Sequence, residues 1–250
     1  MKKLSAIIIA KNEEGIIADC IDSLLFCDEI IVIDGESEDR TKEIAKKMGA
    51  LVYTHTFEDF AITRNFGLHK ATSEWVFYVD ADERVSPALQ DNIKHHVLNR
   101  KYGDKISAYK VKRKNFYLGN HEWPYIESME RIFKREALKG WYGVLHETPK
   151  IEGNLDLLEG FLLHYTHRDL TGMLAKTIAW SSTEAKLRHN AHHPKMTWWR
   201  FPRVMIPAFY NSYITQKGYK VGIVGIVESM YQAFSMFITY TKLWELQKKR

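Results

Sequence analysis

The first eighty residues alternate between two hydrophobic periods, and that alternation leaves few architectures open. Leu4 to Ala10 is a continuous apolar run, the pattern of a strand covered on both faces. From Glu13 to Phe26, the apolar residues Ile16, Ile17, Cys20, Ile21, Leu24 and Leu25 fall at helical spacing. Glu29 to Ile33 predicts a second strand and Thr41 to Met48 a second helix, closed by Gly49. Leu51 to Thr54, Ala61 to Ala71 and Trp75 to Val79 continue as strand, helix and strand. Such a succession implies an α/β fold with a parallel sheet and right-handed crossovers. Ligands of these sheets bind beyond the carboxyl ends of the strands. Those ends carry Lys11-Asn12-Glu13, Asp34-Gly35 and Asp80-Ala81-Asp82.

The N-terminal apolar run could be mistaken for a secretory signal. It is short, meets Lys11-Asn12-Glu13-Glu14 at once and lacks a small-residue cleavage site, so a buried strand is expected. Two cysteines, Cys20 and Cys27, are too few for a disulfide framework or a cysteine metal site and suit a reducing cytosol. Hydrophobic residues at 45% and charged residues at 27% describe an ordinary globular chain.

Charge is distributed unevenly. Arg168 to Arg250 holds 13 Lys or Arg against 4 Asp or Glu, a balance of +9, while the preceding residues sum to −4. A basic tail suggests a polyanionic partner such as a membrane surface or a phosphorylated acceptor, or else a solvated basic face. No nucleic-acid motif is present, and no nucleic-acid partner is expected.

Ser107 to His164 predicts short, irregular strands rich in aromatics. Asp169 to Arg188, Thr197 to Gln216 and Val221 to Lys248 predict three helices, and the domain boundary is placed between residues 166 and 167. In the last helix Glu228, Gln232, Ser235, Thr239 and Lys242 make one polar stripe, opposite Ile223, Val227, Met230, Phe234, Phe237 and Thr241. A lipid-spanning helix has no reason to keep such a stripe; a helix packed on the body, or lying in a membrane interface, does. Trp198-Trp199-Arg200 and Arg203 favour the interface, where aromatic and cationic side chains anchor.

Asp80-Ala81-Asp82 puts two carboxylates on a turn leaving a strand, where they can converge on Mg²⁺ or Mn²⁺. Such a metal neutralises a departing diphosphate. A solvated acidic turn is the plainer alternative. Asp34 sits where an acid can reach a base or ribose, whereas Ser37 and Asp39 suit capping of the next helix. Arg64 precedes the acidic strand and could face a diphosphate or be an ordinary surface arginine.

Ile7-Ile8-Ile9-Ala10-Lys11-Asn12-Glu13-Glu14, Val32-Ile33-Asp34-Gly35-Glu36-Ser37-Glu38-Asp39-Arg40-Thr41, Arg64-Asn65-Phe66-Gly67 and Asp80-Ala81-Asp82-Glu83-Arg84, in this order, resemble the family 2 glycosyltransferases of GT-A fold. Within that family the chain is most similar to bacterial lipopolysaccharide-core β-glucosyltransferases. The resemblance implies a Rossmann-like, mainly parallel sheet flanked by helices, with a helical C-terminal extension. It implies that Ala10, Asn12 and Glu13 line the nucleotide pocket, that Asp34 binds the base and that Arg64 helps to hold it. Asp80 would contact ribose or metal, and Asp82 would be the principal metal ligand. The implied donor is UDP-glucose. The implied acceptor is the lipopolysaccharide inner core, another lipid-linked glycan or a protein, reached from the cytoplasmic face of the inner membrane.

Single displacement needs a carboxylate to take the acceptor's proton. Glu147 is chosen, in Gly143-Val144-Leu145-His146-Glu147, a stretch that resembles the family's own; Glu127 and Glu130 are the alternatives. His164 or His146 could complete a metal shell or be structural. Arg131 could contact the diphosphate or pair with a neighbouring acid. Two other classes compete: a nucleotidyltransferase, which would open on a Gly-rich basic loop, and a non-catalytic membrane-surface module.

Overall fold

A computed structural model describes residues 2–57, 59–99, 105–143 and 147–248. The chain divides into two compact units, Met1–Lys114 with Glu127–His164, and Asn115–Ile126 with Tyr165–Arg250.

The first unit begins with β1 (Leu4–Ala10), α1 (Ile17–Asp22), β2 (Glu29–Asp34), α2 (Thr41–Lys47), β3 (Leu51–Thr54), α3 (Phe60–Lys70) and β4 (Trp75–Asp80). This is the predicted succession. β1 lies between β2 and β4, parallel to both, and β3 extends the parallel block beside β2. Every residue of β1 is buried. Leu4, Ala6, Ile8 and Ala10 enter one core with Ile17, Cys20 and Ile21 of α1. Ile7 points the other way and joins Ile31, Ile33, Val76 and Ala61. Two covered faces explain why β1 shows no alternation.

Next come β5 (Glu83–Val85) and α4 (Pro87–Ile93), the latter continued by a π-helical turn over Lys94–Leu98. β6 (Ile106–Tyr117) and β7 (His121–Lys134) follow, then β8 (Leu138–Tyr142), β9 (Thr148–Ile151) and β10 (Asn154–Tyr165). The main sheet is mixed, in the order β3-β2-β1-β4-β7-β6-β10-β5; β8 and β9 pair separately. β7 is antiparallel to β4, and β10 is antiparallel to β5. The middle of the chain therefore differs from the short irregular strands predicted: β6, β7 and β10 run 12, 14 and 12 residues. Burial follows no regular alternation in β7, and in β10 it alternates only from Leu158 to Leu162, where Gly160 is an inward residue and Phe161 and Leu163 are apolar on the other face, so no apolar–polar period marks these strands in the sequence.

The second unit combines the hairpin segment Asn115–Ile126 with α5 (Leu170–Asn190), α6 (Arg200–Tyr210) and α7 (Gly222–Lys248). A π-helical turn, Asn211–Thr215, extends α6, and a 3-10 turn, Gly218–Val221, leads into α7. Sequence reading puts residues 115–126 with the first domain. They group with the helices because Trp123, 1% exposed, donates its indole N–H to Gln216 Oε1 (3.0 Å) and packs on Gly218. The stretch Gly218–Lys248 contains an 18-residue window of mean hydropathy 1.5 and is long and apolar enough to cross a membrane by length and composition.

Candidate active site

The carboxyl ends of β1 and β2 are pinned to one another by side chains. The Asn12 N–H donates to the Ser37 hydroxyl (2.9 Å), and the Asn12 amide oxygen accepts from the Glu38 N–H (2.9 Å). The Glu13 N–H donates to Thr41 Oγ1 (2.8 Å), and the Glu14 N–H to Asp39 Oδ2 (3.0 Å). Asn12 takes a left-handed conformation, φ 55°, which asparagine tolerates better than most residues. Ser37 and Asp39 thus do more than the helix capping expected of them. Asp39 does accept the Thr41 N–H (2.9 Å), but its second oxygen, like the Ser37 hydroxyl, ties down the β1 loop.

Asp34 lies opposite Ala10 in the ladder and is fully buried. Its Oδ2 accepts from the Ser37 N–H (3.0 Å), with Lys42 Nζ at 3.8 Å. Its Oδ1 is buried with no hydrogen-bond partner among the described residues. Buried acceptors are seldom left so, and Asp34 is the last residue of β2, at the strand end beyond which ligands of parallel sheets bind. Ala10 lies 2% exposed beside it, its carbonyl accepting from the Gly35 N–H (2.9 Å).

The acidic turn after β4 is embedded in guanidinium groups. Asp80 Oδ1 accepts from Arg64 Nη2 (3.2 Å) and Oδ2 from Arg131 Nη2 (2.7 Å). Burial disfavours its charge, but Arg131 and then Arg64 outweigh that and hold the carboxyl far below the usual carboxylate range. Arg64 is itself buried, its guanidinium 4.9 Å from the Trp141 ring centre and 5.6 Å from that of Tyr78. Its Nε donates to Glu147 Oε1 (2.9 Å). One arginine therefore bridges the turn to the residue chosen as base. Each Asp80 oxygen thus spends one lone pair on a guanidinium and keeps another, and the side chain is 30% exposed.

Asp82 faces elsewhere. β10 runs antiparallel to β5 with His164 opposite Glu83, and His164 Nε2 comes within 3.2 Å of Asp82 Oδ2, both side chains 14% exposed. No three His, Cys, Asp or Glu converge as a metal cage among the described residues. A carboxylate and an imidazole with converging donor atoms suit a cation that takes its other ligands from water and a diphosphate. His146 lies outside the described residues. Of the alternative bases, Glu127 is engaged by Arg113 Nε (2.8 Å) and Glu130 by Lys110 (3.2 Å).

Two members of this network carry no role in the sequence reading. Glu83, fully buried, accepts from Arg131 Nη2 (2.8 Å), Arg113 Nη1 (3.2 Å) and the Asp80 N–H (3.0 Å). Its place directly after Asp82 is the signal that could have found it. Arg113 sits in β6, where no motif surrounds it.

With this geometry in place, the comparisons with known proteins are specific. Residues 5–152 match the family described as glycosyl transferase family 2. The chain belongs to glycosyltransferase family 2 and is a glycosyltransferase. It is 28% identical to an uncharacterized glycosyltransferase of Rickettsia prowazekii, over 100% of this chain and 89% of that one. It is 26% identical to the lipopolysaccharide core biosynthesis glycosyltransferase LpsC of Rhizobium meliloti, over 97% and 92%. Its fold is similar to that of the mannosyltransferase PcManGT of Pyrobaculum calidifontis, solved with GDP-mannose and Mn²⁺ (TM-score 0.53, 14% identity, 98% of this chain and 88% of that one). The fold is the GT-A fold, and family membership sets aside both the nucleotidyltransferase and the non-catalytic module.

Proposed function

We propose that the enzyme moves a hexose, glucose from UDP-glucose foremost, onto a hydroxyl of the lipopolysaccharide inner core or another lipid-linked glycan. The site assigned is the cytoplasmic face of the inner membrane. The likeness to LpsC supports this acceptor class. The observation that carries the chemistry is the Arg64 bridge, which holds Glu147 beside the acidic turn. Glu147, whose Oε1 accepts from Arg64, takes the acceptor's proton on its other oxygen. The acceptor oxygen then attacks the anomeric carbon, and the bond from that carbon to the diphosphate oxygen breaks with its electron pair on the diphosphate. An α-linked donor gives a β-linked product. Asp34 accepts from the nucleoside through Oδ1, and Asn12, Glu13 and Ala10 line its pocket. Asp82 and His164 hold Mg²⁺ or Mn²⁺, which when bound neutralises the leaving diphosphate. Arg64 and Arg131 fix Asp80 against the donor.

The test is transfer from UDP-[¹⁴C]glucose to deacylated core oligosaccharide in Mn²⁺. Glu147→Gln is expected to lose about 100-fold in turnover, the scale of a positioned general base, while UDP still raises the melting temperature. Asp82→Ala and EDTA are expected to abolish transfer. Full activity in EDTA, an α-linked product or near-normal turnover of Glu147→Gln each overturns the part of the mechanism it addresses.

A further inference from the structure

Soluble helices bury their apolar stripe and expose their polar one. In the second unit α7 departs from this: it buries Val224, Ala233 and Leu243, but its polar residues are turned inward with them and a second apolar line is left outside. Glu228 is 1% exposed, bonded to His167 Nδ1 (3.1 Å) and to Gln232 Nε2 (2.7 Å). Ser229 donates to the Ser212 hydroxyl (3.0 Å), and Tyr231 shares a hydrogen bond with Thr177 (2.6 Å). Lys242 turns back onto the Ile178 carbonyl (2.6 Å) and Ser182 (2.8 Å) of α5. The predicted polar stripe is therefore spent inside the protein. The opposite line, Ile223, Val227, Met230 and Phe234, is exposed, Ile223 by 77%. α6 packs on α7 and buries none of its own residues; Ile206 and Tyr210 project outward at one-turn spacing. Trp198 is 83% exposed, and Trp199 lies under Arg200 and Arg203, whose guanidinium carbons are 4.9 and 5.7 Å from its ring centre.

Polar groups bonded inside a helix cluster and apolar groups outside is the arrangement that a hydrocarbon solvent selects. The charge of this unit agrees. Of the four acids beyond residue 167, Glu228 is buried, Glu184 is bonded to Arg188 and Asp169 caps α5 through the Gly172 N–H. The 13 cations of the same stretch thus meet little opposing charge. A second copy would bring the same positive surface against itself, which costs affinity, whereas anionic headgroups complement it. A helix crossing the bilayer alone would have to carry Glu228 away from His167 into hydrocarbon.

We propose that α6 and α7 form a monotopic insertion module. Their outward apolar side chains enter the acyl boundary of an anionic bilayer, with Trp198, Trp199, Arg200 and Arg203 at headgroup level. Attachment rests on apolar burial first and charge second, so it survives salt. This goes beyond the transfer reaction and does not depend on it.

The experiment is flotation of the full-length protein with preformed phosphatidylglycerol/phosphatidylethanolamine vesicles at 0.05 and 0.5 M NaCl, with no donor or acceptor present. Most of the protein is expected to float at both salts. Ile223→Glu with Met230→Glu is expected to cut vesicle binding by at least about tenfold while the UDP-induced rise in melting temperature persists. Arg200→Gln with Arg203→Gln is expected to weaken binding by a few-fold. Three results overturn the proposal: protein that stays behind at low salt, release by 0.5 M NaCl, or a lipid-free dimer that the Ile223/Met230 variant dissociates. The last would assign the face to a second copy.

Discussion

Glu83 has no exposed surface, yet it is a carboxylate among three donors: two guanidinium groups and a main-chain N–H. Removing one partner of a buried ionic group costs more than the pair contributes, because the remaining charge is stranded. Arg131 would be left with Asp80 alone and Arg113 with Glu127 alone, each short of its fully buried counter-charge. Glu83→Ala is expected to lower stability by about 3–5 kcal/mol, measured by urea denaturation, and to weaken donor binding through Arg131. An unchanged midpoint would mean that the arginines find solvent instead. Glu29 is a second buried acid, far from the chemistry. Burial opposes its charge, but Lys2, Ser5 and Thr72 bond the carboxylate and bring its pKa from 4.5 down to about 2. A depressed folded pKa means stability fully present above the unfolded value and lost as pH falls toward 2. Acid titration of the melting temperature should therefore be shallower between pH 4.5 and 2 for Glu29→Gln than for the wild type. Parallel curves would remove Glu29 from the account.

Among the elements, α3 shows how closely a helix is seated on the parallel sheet. A Cβ on Gly67 would lie 2.7 Å from Ile7 Cγ2 of β1 and 3.3 Å from Ile33 Cγ1 of β2. Alanine favours a helix over glycine by about 1 kcal/mol, but overpacking against stiff β-branched side chains costs about 1–3 kcal/mol. The contact is too short for the propensity gain to prevail. Gly67→Ala is expected to be net destabilising and, by lifting the helix that carries Arg64, to weaken UDP binding; calorimetry measures both. A more stable Gly67→Ala would show that α3 can shift without loss. Element legibility follows from the same packing. β1 and α1 were legible because two-sided and one-sided burial write different periods. β6, β7 and β10 were not, because the residue types on their two faces do not separate into apolar and polar: β10 alternates in burial from Leu158 to Leu162, yet Phe161 and Leu163 on the less buried face are apolar too.

On the scale of the whole molecule, the two units are interleaved in sequence: residues 115–126 lie inside the catalytic stretch but pack with the C-terminal helices. A chain ending at residue 164 would leave Trp123 without Gln216 and Gly218, exposing a large apolar side chain on a hairpin. That truncation is expected to aggregate on expression or to melt well below the full chain. A soluble monomer with the full-length melting temperature would show that the hairpin stands alone.

The amino-acid sequence by itself determined the parallel α/β half, the acids at its strand ends and the family, because burial on one face or two leaves a local period and motifs are contiguous. Legible too were the candidates Asp34, Arg64, Asp82 and Glu147, each beside such a motif. Only the tertiary structure decided who their partners are: Arg64 between Asp80 and Glu147, His164 against Asp82, Glu83 beneath Arg131. Those pairings join residues tens of positions apart through strand register, which no local pattern encodes. The sense of α7 belongs with them. The sequence shows two stripes on one helix; which stripe faces the protein depends on whether the neighbouring helices offer it hydrogen bonds, and α5 does.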